Sequence, residues 1–329
     1  PVVSILKDSF KRKFLRELDI RDISHLQIID DFAFQFSKLK EIYIPSSLKS
    51  IGNYAFYCCD ELQYFHIPDN SQLQTIGENA FCGTKLTNFT IPSRLIELKK
   101  CWCSYLSNLK MIEVSPNNPC YKLYDNNIVI GKSSVEKEDY DVLVFCNRCV
   151  QNITIPSFIK HIGTCAFELC KNLKSIEIPK NSQLLTIDEY AFANSSIENF
   201  TIPSQITEIN EGAFNRCKKL QKFKTPSDSE LRILGEFAFA ESTIESIEIP
   251  RHLIKINKSV FSDCKNLRNI KIPIDSELQI IDERAFYGST IESFTIPPRL
   301  IELKKCWCKY SSNLKMIEVS PNNPCYKLY

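Results

Sequence analysis

Fifteen cysteines and four histidines are the side chains of this 329-residue chain best suited to bind metal, form disulfides or act as nucleophile and base. Their spacing sorts them. The close groups are Cys101-Trp102-Cys103, its copy Cys306-Trp307-Cys308, Cys120 and Cys146-Asn147-Arg148-Cys149. A zinc site needs four convergent thiolate or imidazole ligands, and one Cys-x-x-Cys beside one Cys-x-Cys gives no coherent set of four. A disulfide among Cys101, Cys103, Cys120, Cys146 and Cys149 and plain filling of the core stand as alternatives to metal, and the sequence leaves their redox state open. Cys59, Cys170, Cys217 and Cys264 follow a phenylalanine by three residues on alternate repeats. Two repeats are about 10 Å apart, beyond the ~7 Å Cα separation that a disulfide spans, so these four read as small buried side chains. His25, His66, His161 and His252 are scattered. No Gly-rich phosphate loop, nucleophile elbow or paired metal motif accompanies them, so neither enzyme nor cofactor chemistry is expected.

The elements behind these residues are repeats. Phe34, Phe56, Phe81 and Cys103 are spaced by 22, 25 and 22 residues. After a gap of 64, Phe167, Phe192, Phe214, Phe239, Phe261, Phe286 and Cys308 follow at 25, 22, 25, 22, 25 and 22. Adjacent steps sum to 47, so the duplicated unit is a pair of repeats, the mark of a solenoid whose turns bury their apolar sides against each other. Within one unit, Leu173-x-x-Ile176-x-Ile178 alternates as a half-buried strand does. Pro179 then ends the ladder, a second short extended segment follows, and Ala191-Phe192 is expected to make a brief helical turn. The longer units insert polar elbows such as Lys180-Asn181-Ser182-Gln183. In-phase phenylalanines should stack into a spine.

Composition narrows the partners. With 41 basic and 39 acidic residues the net charge is +2, dispersed along the chain, so no basic stripe for nucleic acid or an anionic membrane is formed. Apolar runs fall far short of the ~20 residues that span a bilayer. No small-molecule substrate and no membrane contact by this segment itself are expected.

The units resemble the BspA-like class of leucine-rich repeats. The pattern is carried by Leu39–Pro45, Leu48-x-x-Ile51-Gly52 and Ala55-Phe56-x-x-Cys59, and it recurs along some 300 residues. The irregular stretch 114–162, with an Asn-x-x-Tyr segment and Tyr140–Cys146, is similar to the β-hairpin that this family interposes between strands. The resemblance implies a β-rich α/β leucine-rich repeat solenoid. Its form would be a curved right-handed superhelix with one concave parallel sheet of about thirteen short strands, and short helical turns and strands on the convex side. Residues 1–329 would form one array: a repeat block at 1–114, a hairpin insertion at 115–150, a second block at 151–319, and the start of another hairpin at 320–329. The resemblance also implies a cell-surface or extracellular protein that adheres to host surface or matrix proteins. Gly is scarce, eight in all, and Asp or Asn often stands after the repeat isoleucine, a departure that bears on turn geometry.

Outward sheet positions form two polar columns, in leucine-rich repeats the usual binding surface. Tyr43, Tyr64 and His66, at one end, are the expected focus of a protein-binding strip, since aromatics dominate interface energetics; Lys222, Lys224 and Lys271 extend the columns. The competing reading is a solvated face left by duplication. Sequons at Asn88, Asn152, Asn194, Asn199 and Asn257 would carry glycans in a secreted protein, or are chance triplets of a Ser/Thr/Asn-rich repeat. The block Glu292–Tyr329 repeats Thr87–Tyr124 at an offset of 205 and stops where its twin continues, so the chain reads as part of a longer array. The function expected is a non-catalytic interaction or adhesion module. An intracellular scaffold and the repeat region of an enzyme whose catalytic domain lies elsewhere are the alternatives.

Overall fold

The structure, a computed structural model, describes residues 3–327, which form two compact units that meet in sequence between Arg148 and Cys149. The expectations at Pro1, Val2 and the last residues of 320–329 lie outside the described residues.

Each coil of either unit contributes two short strands. In the first unit the first row comprises β2 (Glu17–Asp19), β4 (Glu41–Tyr43), β6 (Tyr64–His66), β8 (Asn88–Ile91) and β10 (Met111–Val114). The second row comprises β1 (Ser4–Ile5), β3 (Ile28–Ile29), β5 (Ser50–Ile51), β7 (Thr75–Ile76) and β9 (Glu97–Leu98), all parallel and consecutive. Residues 115–148 hold three antiparallel strands rather than a two-stranded hairpin: β11 (Tyr121–Tyr124), β12 (Ile128–Gly131) and β13 (Val142–Cys146).

The second unit repeats the scheme. Its first row is β14 (Asn152–Thr154), β16 (Ser175–Glu177), β18 (Asn199–Thr201), β20 (Lys222–Lys224), β22 (Ser246–Glu248), β24 (Asn269–Lys271), β26 (Ser293–Ile296) and β28 (Met316–Val319). Its second row is β15 (His161–Ile162), β17 (Thr186–Ile187), β19 (Glu208–Ile209), β21 (Ile233–Leu234), β23 (Lys255–Ile256), β25 (Ile280–Ile281) and β27 (Glu302–Leu303).

The first row is not one continuous sheet. Every junction with a 23-residue step between strand leucines keeps its ladder, as in β4–β6, β8–β10, β18–β20 and β26–β28. Among the 24-residue steps, β2–β4, whose two anchor-to-strand arms are equal in length, keeps its ladder, but no ladder joins β6 to β8, β16 to β18 or β24 to β26. Only Lys222↔Ser246 joins β20 to β22. The arm between anchor and strand is one residue shorter after each broken junction, Phe81 to Leu86 against Phe56 to Leu62.

Phenylalanine fills the interior as its period requires. In the first unit Phe10, Phe34, Phe56 and Phe81 stack at centroid distances of 5.0, 5.0 and 5.3 Å, within 3° of parallel. In the second, Phe167 through Phe286 stack at 4.8, 5.0, 5.3, 5.6 and 5.2 Å. Every one of these rings except Phe10 is fully buried, a gain of about 1.5–3 kcal/mol each from removing it from water. Where the anchor is Cys103, Trp102 takes over, edge-on to Phe81 at 6.4 Å and 5.0 Å from Phe89.

The anchor segments are not helical; the described residues contain no helix. Residues two before and two after each anchor take left-handed backbone: Phe32 and Phe36 around Phe34, Gly212 and Arg216 around Phe214. This alternation aims successive amides in opposite directions. Phe32, Phe34 and Phe36 donate to the carbonyls of Asn53, Ala55 and Tyr57 on the next coil, while Ala33, Gln35 and Ser37 close local three-residue turns. A helix would spend every amide on itself and leave the coil-to-coil face unpaired, so the stacked fold selects the alternating turn.

The step after the repeat isoleucine also resolves. A Cβ on Gly52 would sit 2.5 Å from the Asp31 nitrogen, and one on Gly77 2.4 Å from the Gly52 carbonyl carbon. Where Asp occupies this step, its carboxylate supplies the turn instead: Asp30 Oδ1 accepts from Asp31 N–H at 2.8 Å, and Asp282 Oδ1 from Glu283 N–H at 2.7 Å.

Candidate interaction surface

Strands β2, β4 and β6 run in register, which lines Asp19, Tyr43 and His66 across the outer face and Glu17, Glu41 and Tyr64 beside them. Alternation puts Ile42 in the core and leaves these side chains outside. The rings of Tyr43 and His66 stack 4.1 Å apart and 5° from parallel. Arg21 covers the other face of Tyr43, its guanidinium carbon 4.6 Å from the ring centre. Asp19 holds that guanidinium through Nε at 3.0 Å and Nη2 at 2.6 Å. Glu41 Oε1 accepts the Tyr43 hydroxyl at 2.8 Å and lies 2.6 Å from His66 Nε2. These two contacts, the tyrosine's first, pull the Glu41 pKa below the usual carboxylate range, and the same bond raises that of Tyr43. Tyr64 stands beside this column, its ring 6.3 Å from His66 and 46% exposed.

The structure thus brings Tyr43, Tyr64 and His66 together. Sequence reading missed Asp19 and Arg21, although Asp-x-Arg at a strand end was the available signal. Lys222 and Lys224 lie on β20 and Lys271 on β24, in the other unit. Lys271 is tied to Glu248 at 2.8 Å, whereas Lys222 and Lys224 make no ion pair among the described residues.

Of the sequons, Asn88, Asn152 and Asn199 project exposed from β8, β14 and β18. Asn194 does not: its amide nitrogen is buried with no hydrogen-bond partner, on a left-handed backbone. Asn257 donates its amide to the Leu234 carbonyl at 2.8 Å.

The alternating cysteines are buried, and their thiols bond. Cys59, Cys217 and Cys264 donate to the carbonyls of Phe34, Phe192 and Phe239 at 2.9, 3.1 and 3.1 Å. Each also meets a serine of the preceding coil, Ser37, Ser195 or Ser242, at 3.3–3.6 Å. Burial pushes all three thiols up to about 12. No group of three or more His, Cys, Asp or Glu side chains among the described residues is arranged to hold a metal ion.

At the broken ladders lie three clefts. One of about 300 Å³ is lined by Ile67, Pro68, Asp69, Thr90, Pro92, Glu113, Val114 and Pro116. Its counterpart 205 residues on, about 490 Å³, is lined by Ile272, Thr295, Pro297, Glu318, Val319 and Pro321. The third, about 460 Å³, is lined by Ile178, Pro179, Lys180, Thr201, Pro203 and neighbours.

The chain matches the profile of the BspA type leucine rich repeat region, in six copies over residues 3–126, 141–244 and 232–327. No curated protein matches it in sequence. Among solved structures it is similar to the pneumococcal vaccine antigen PcpA, with 22% identity over 91% of this chain and 72% of that one, and a TM-score of 0.68. A leucine-rich repeat protein of Eubacterium ventriosum gives 19% identity over 90% and 82%, with a TM-score of 0.72. A leucine rich cell surface protein of Faecalibacterium prausnitzii gives 21% over 97% and 77%, with 0.58. Repeat pattern, stacked parallel coils and family profile agree, and this chain belongs to the BspA-type leucine-rich repeat family.

Proposed function

We propose that this chain is a non-catalytic protein-interaction and adhesion module displayed at a cell surface, where it binds proteins of a host cell or its matrix. The column of Arg21, Tyr43 and His66 with Tyr64 beside it carries this reading. Aromatic and arginine side chains contribute most where they are held rigid before binding, because little conformational entropy is then lost on contact. Here Asp19 and Glu41 fix them in advance. On the second unit Lys222, Lys224 and Lys271 would offer a contact of their own, and Asn88, Asn152 and Asn199 would carry glycans. Two solved relatives are named as a vaccine antigen and a cell surface protein, which supports display outside the cell.

Two measurements test the proposal. An antibody to this segment should label intact, unpermeabilised cells, and absence of label would remove the surface assignment. Binding to host-cell monolayers and immobilised matrix proteins should fall about tenfold or more when Tyr43, Tyr64 and His66 all become Ala, given ~2 kcal/mol or more for a central aromatic anchor. Unchanged binding would remove the site.

A further inference from the structure

The clefts at the broken ladders share an uncommon feature. At intact junctions the last isoleucine of a strand donates its N–H to the next coil: Ile44 to His66 at 3.2 Å, Ile202 to Lys224 at 3.1 Å, Ile249 to Lys271 at 2.8 Å. The corresponding bonds of Ile67 to Thr90, Ile178 to Thr201 and Ile272 to Thr295 are missing among the described residues. Each cleft therefore presents a main-chain donor and acceptor between walls of isoleucine, valine and proline.

We propose that the clefts beside Glu113 and Glu318 are two docking sites for an extended, cationic peptide segment of a partner protein, rich in aliphatic residues and proline. Free main-chain groups between coils suit the main chain of an extended segment, which offers groups at regular intervals. The apolar walls suit aliphatic and proline side chains. Charge selects the sign: the charged linings are Asp69 and Glu113 in one cleft and Glu318 in the other. Neither Glu113 nor Glu318 makes an ion pair among the described residues, and Glu318 only receives Thr295 Oγ1 at 3.4 Å. The third cleft is lined instead by a cation, Lys180, with no carboxylate, so it rejects the same peptide and serves as a built-in control. The cleft beside Glu318 shares no coil with the aromatic column on Tyr43, whereas the cleft beside Glu113 begins at Ile67, the residue after His66.

The probe is the synthetic peptide acetyl-(Pro-Val-Lys)4-amide, titrated calorimetrically into the whole chain. The expected result is two equivalents bound per chain, one after either Glu113→Lys or Glu318→Lys, and affinity at least tenfold lower after both. Acetyl-(Pro-Val-Glu)4-amide and acetyl-(Pro-Ser-Lys)4-amide should each bind about tenfold more weakly or worse, since one lost charge pair or apolar anchor is worth about that factor. Equal binding of the acidic peptide, equal binding of the serine peptide, or indifference to the double charge reversal would each overturn the proposal. Both glutamates are exposed, so the variants should melt like the parent. If they do not, Glu113→Gln with Glu318→Gln gives the same readout at constant shape. The chain with Tyr43, Tyr64 and His66 replaced by Ala should still bind the probe at the Glu318 cleft, which separates failure here from failure of the adhesion reading.

Discussion

Replacing Cys217 by valine and by serine distinguishes a thiol that bonds from one that merely fills space. Cys217 is fully buried, its Sγ donating to the Phe192 carbonyl at 3.1 Å and meeting Ser195 Oγ at 3.5 Å. Valine removes both contacts and carries one methyl group more than the thiol, so crowding in this closed site only adds to the loss worked out below. The Phe192 carbonyl keeps a second donor, the Ser195 N–H at 3.0 Å, so it is not orphaned and its loss belongs at the low end, about 0.5–1 kcal/mol. The Ser195 hydroxyl, 3% exposed, loses its thiol partner, which adds about 1–2 kcal/mol. The valine variant should thus lose about 2 kcal/mol. Serine should lose less than about 1 kcal/mol, because the chain already runs this substitution: Ser311 stands at the same coil position and donates to the Phe286 carbonyl at 2.8 Å beside Ser289 at 3.3 Å. Urea unfolding followed by circular dichroism, compared at the midpoint, gives the order parent, serine, valine. A valine variant as stable as the parent, with serine the worst of the three, would refute the hydrogen-bonding account and leave Cys217 a simple apolar filler.

Phe214→Ala should lose about 3–5 kcal/mol in the same assay, since it opens a ring-sized void between Phe192 and Phe239; a loss under 1 kcal/mol would deny the spine its role. Asn118→Ala should detach β11, because Asn118 Nδ2 bonds the carbonyls of Pro92 and Leu95 at 2.7 and 2.8 Å while Oδ1 accepts from Cys120 and Tyr121 N–H. Hydrogen exchange at Tyr121–Tyr124 should quicken at least tenfold, and unchanged protection would count against this anchoring. The buried thiols of Cys59, Cys217 and Cys264 make stability depend on alkali. Their folded pKa near 12 exceeds the unfolded value of about 8.5, so stability is full below ~pH 8.5 and declines as pH rises towards 12; a urea midpoint that is level from pH 8 to 10.5 would contradict this. Ser259→Gly should gain up to about 1 kcal/mol, because Ser259 holds φ at +54°, where glycine carries no Cβ penalty. A melting temperature below the parent's would show that the backbone there is not strained.

What the sequence disclosed follows from which forces act along it. The phenyl spine was legible because burial repeats at fixed intervals, and Phe34 and Phe56 have no other place to go. The strands were legible through the alternation at Ile42 and its equivalents. The anchor turns were not: Phe32, Arg216 and Glu241 carry left-handed backbone without the glycine that would mark it, since bonds to the next coil outweigh the local penalty. The broken ladders hinge on a single residue of arm length, too small a signal against the 47-residue period. On the surface, Tyr43, Tyr64 and His66 could be aligned from register. Arg21 lies beyond its strand, and its place over Tyr43 is a three-dimensional fact. Likewise the Asn194 sequon hides its nitrogen only because the turn buries it.

The uneven pairing of coils has a mechanical consequence. Between the coil of β20 and β21 and that of β22 and β23, the first row keeps a single residue pair and the second row none. The Asn257 side chain there reaches Leu234 in place of a main-chain amide, and the Phe239–Phe261 spacing of 5.6 Å is the widest in the spine. A tensile load along the second unit therefore concentrates at this joint, as it does at a perforation. In a single-molecule pull the first rupture should leave the segments on either side as separate, still-wound springs, each unwinding later and at higher force.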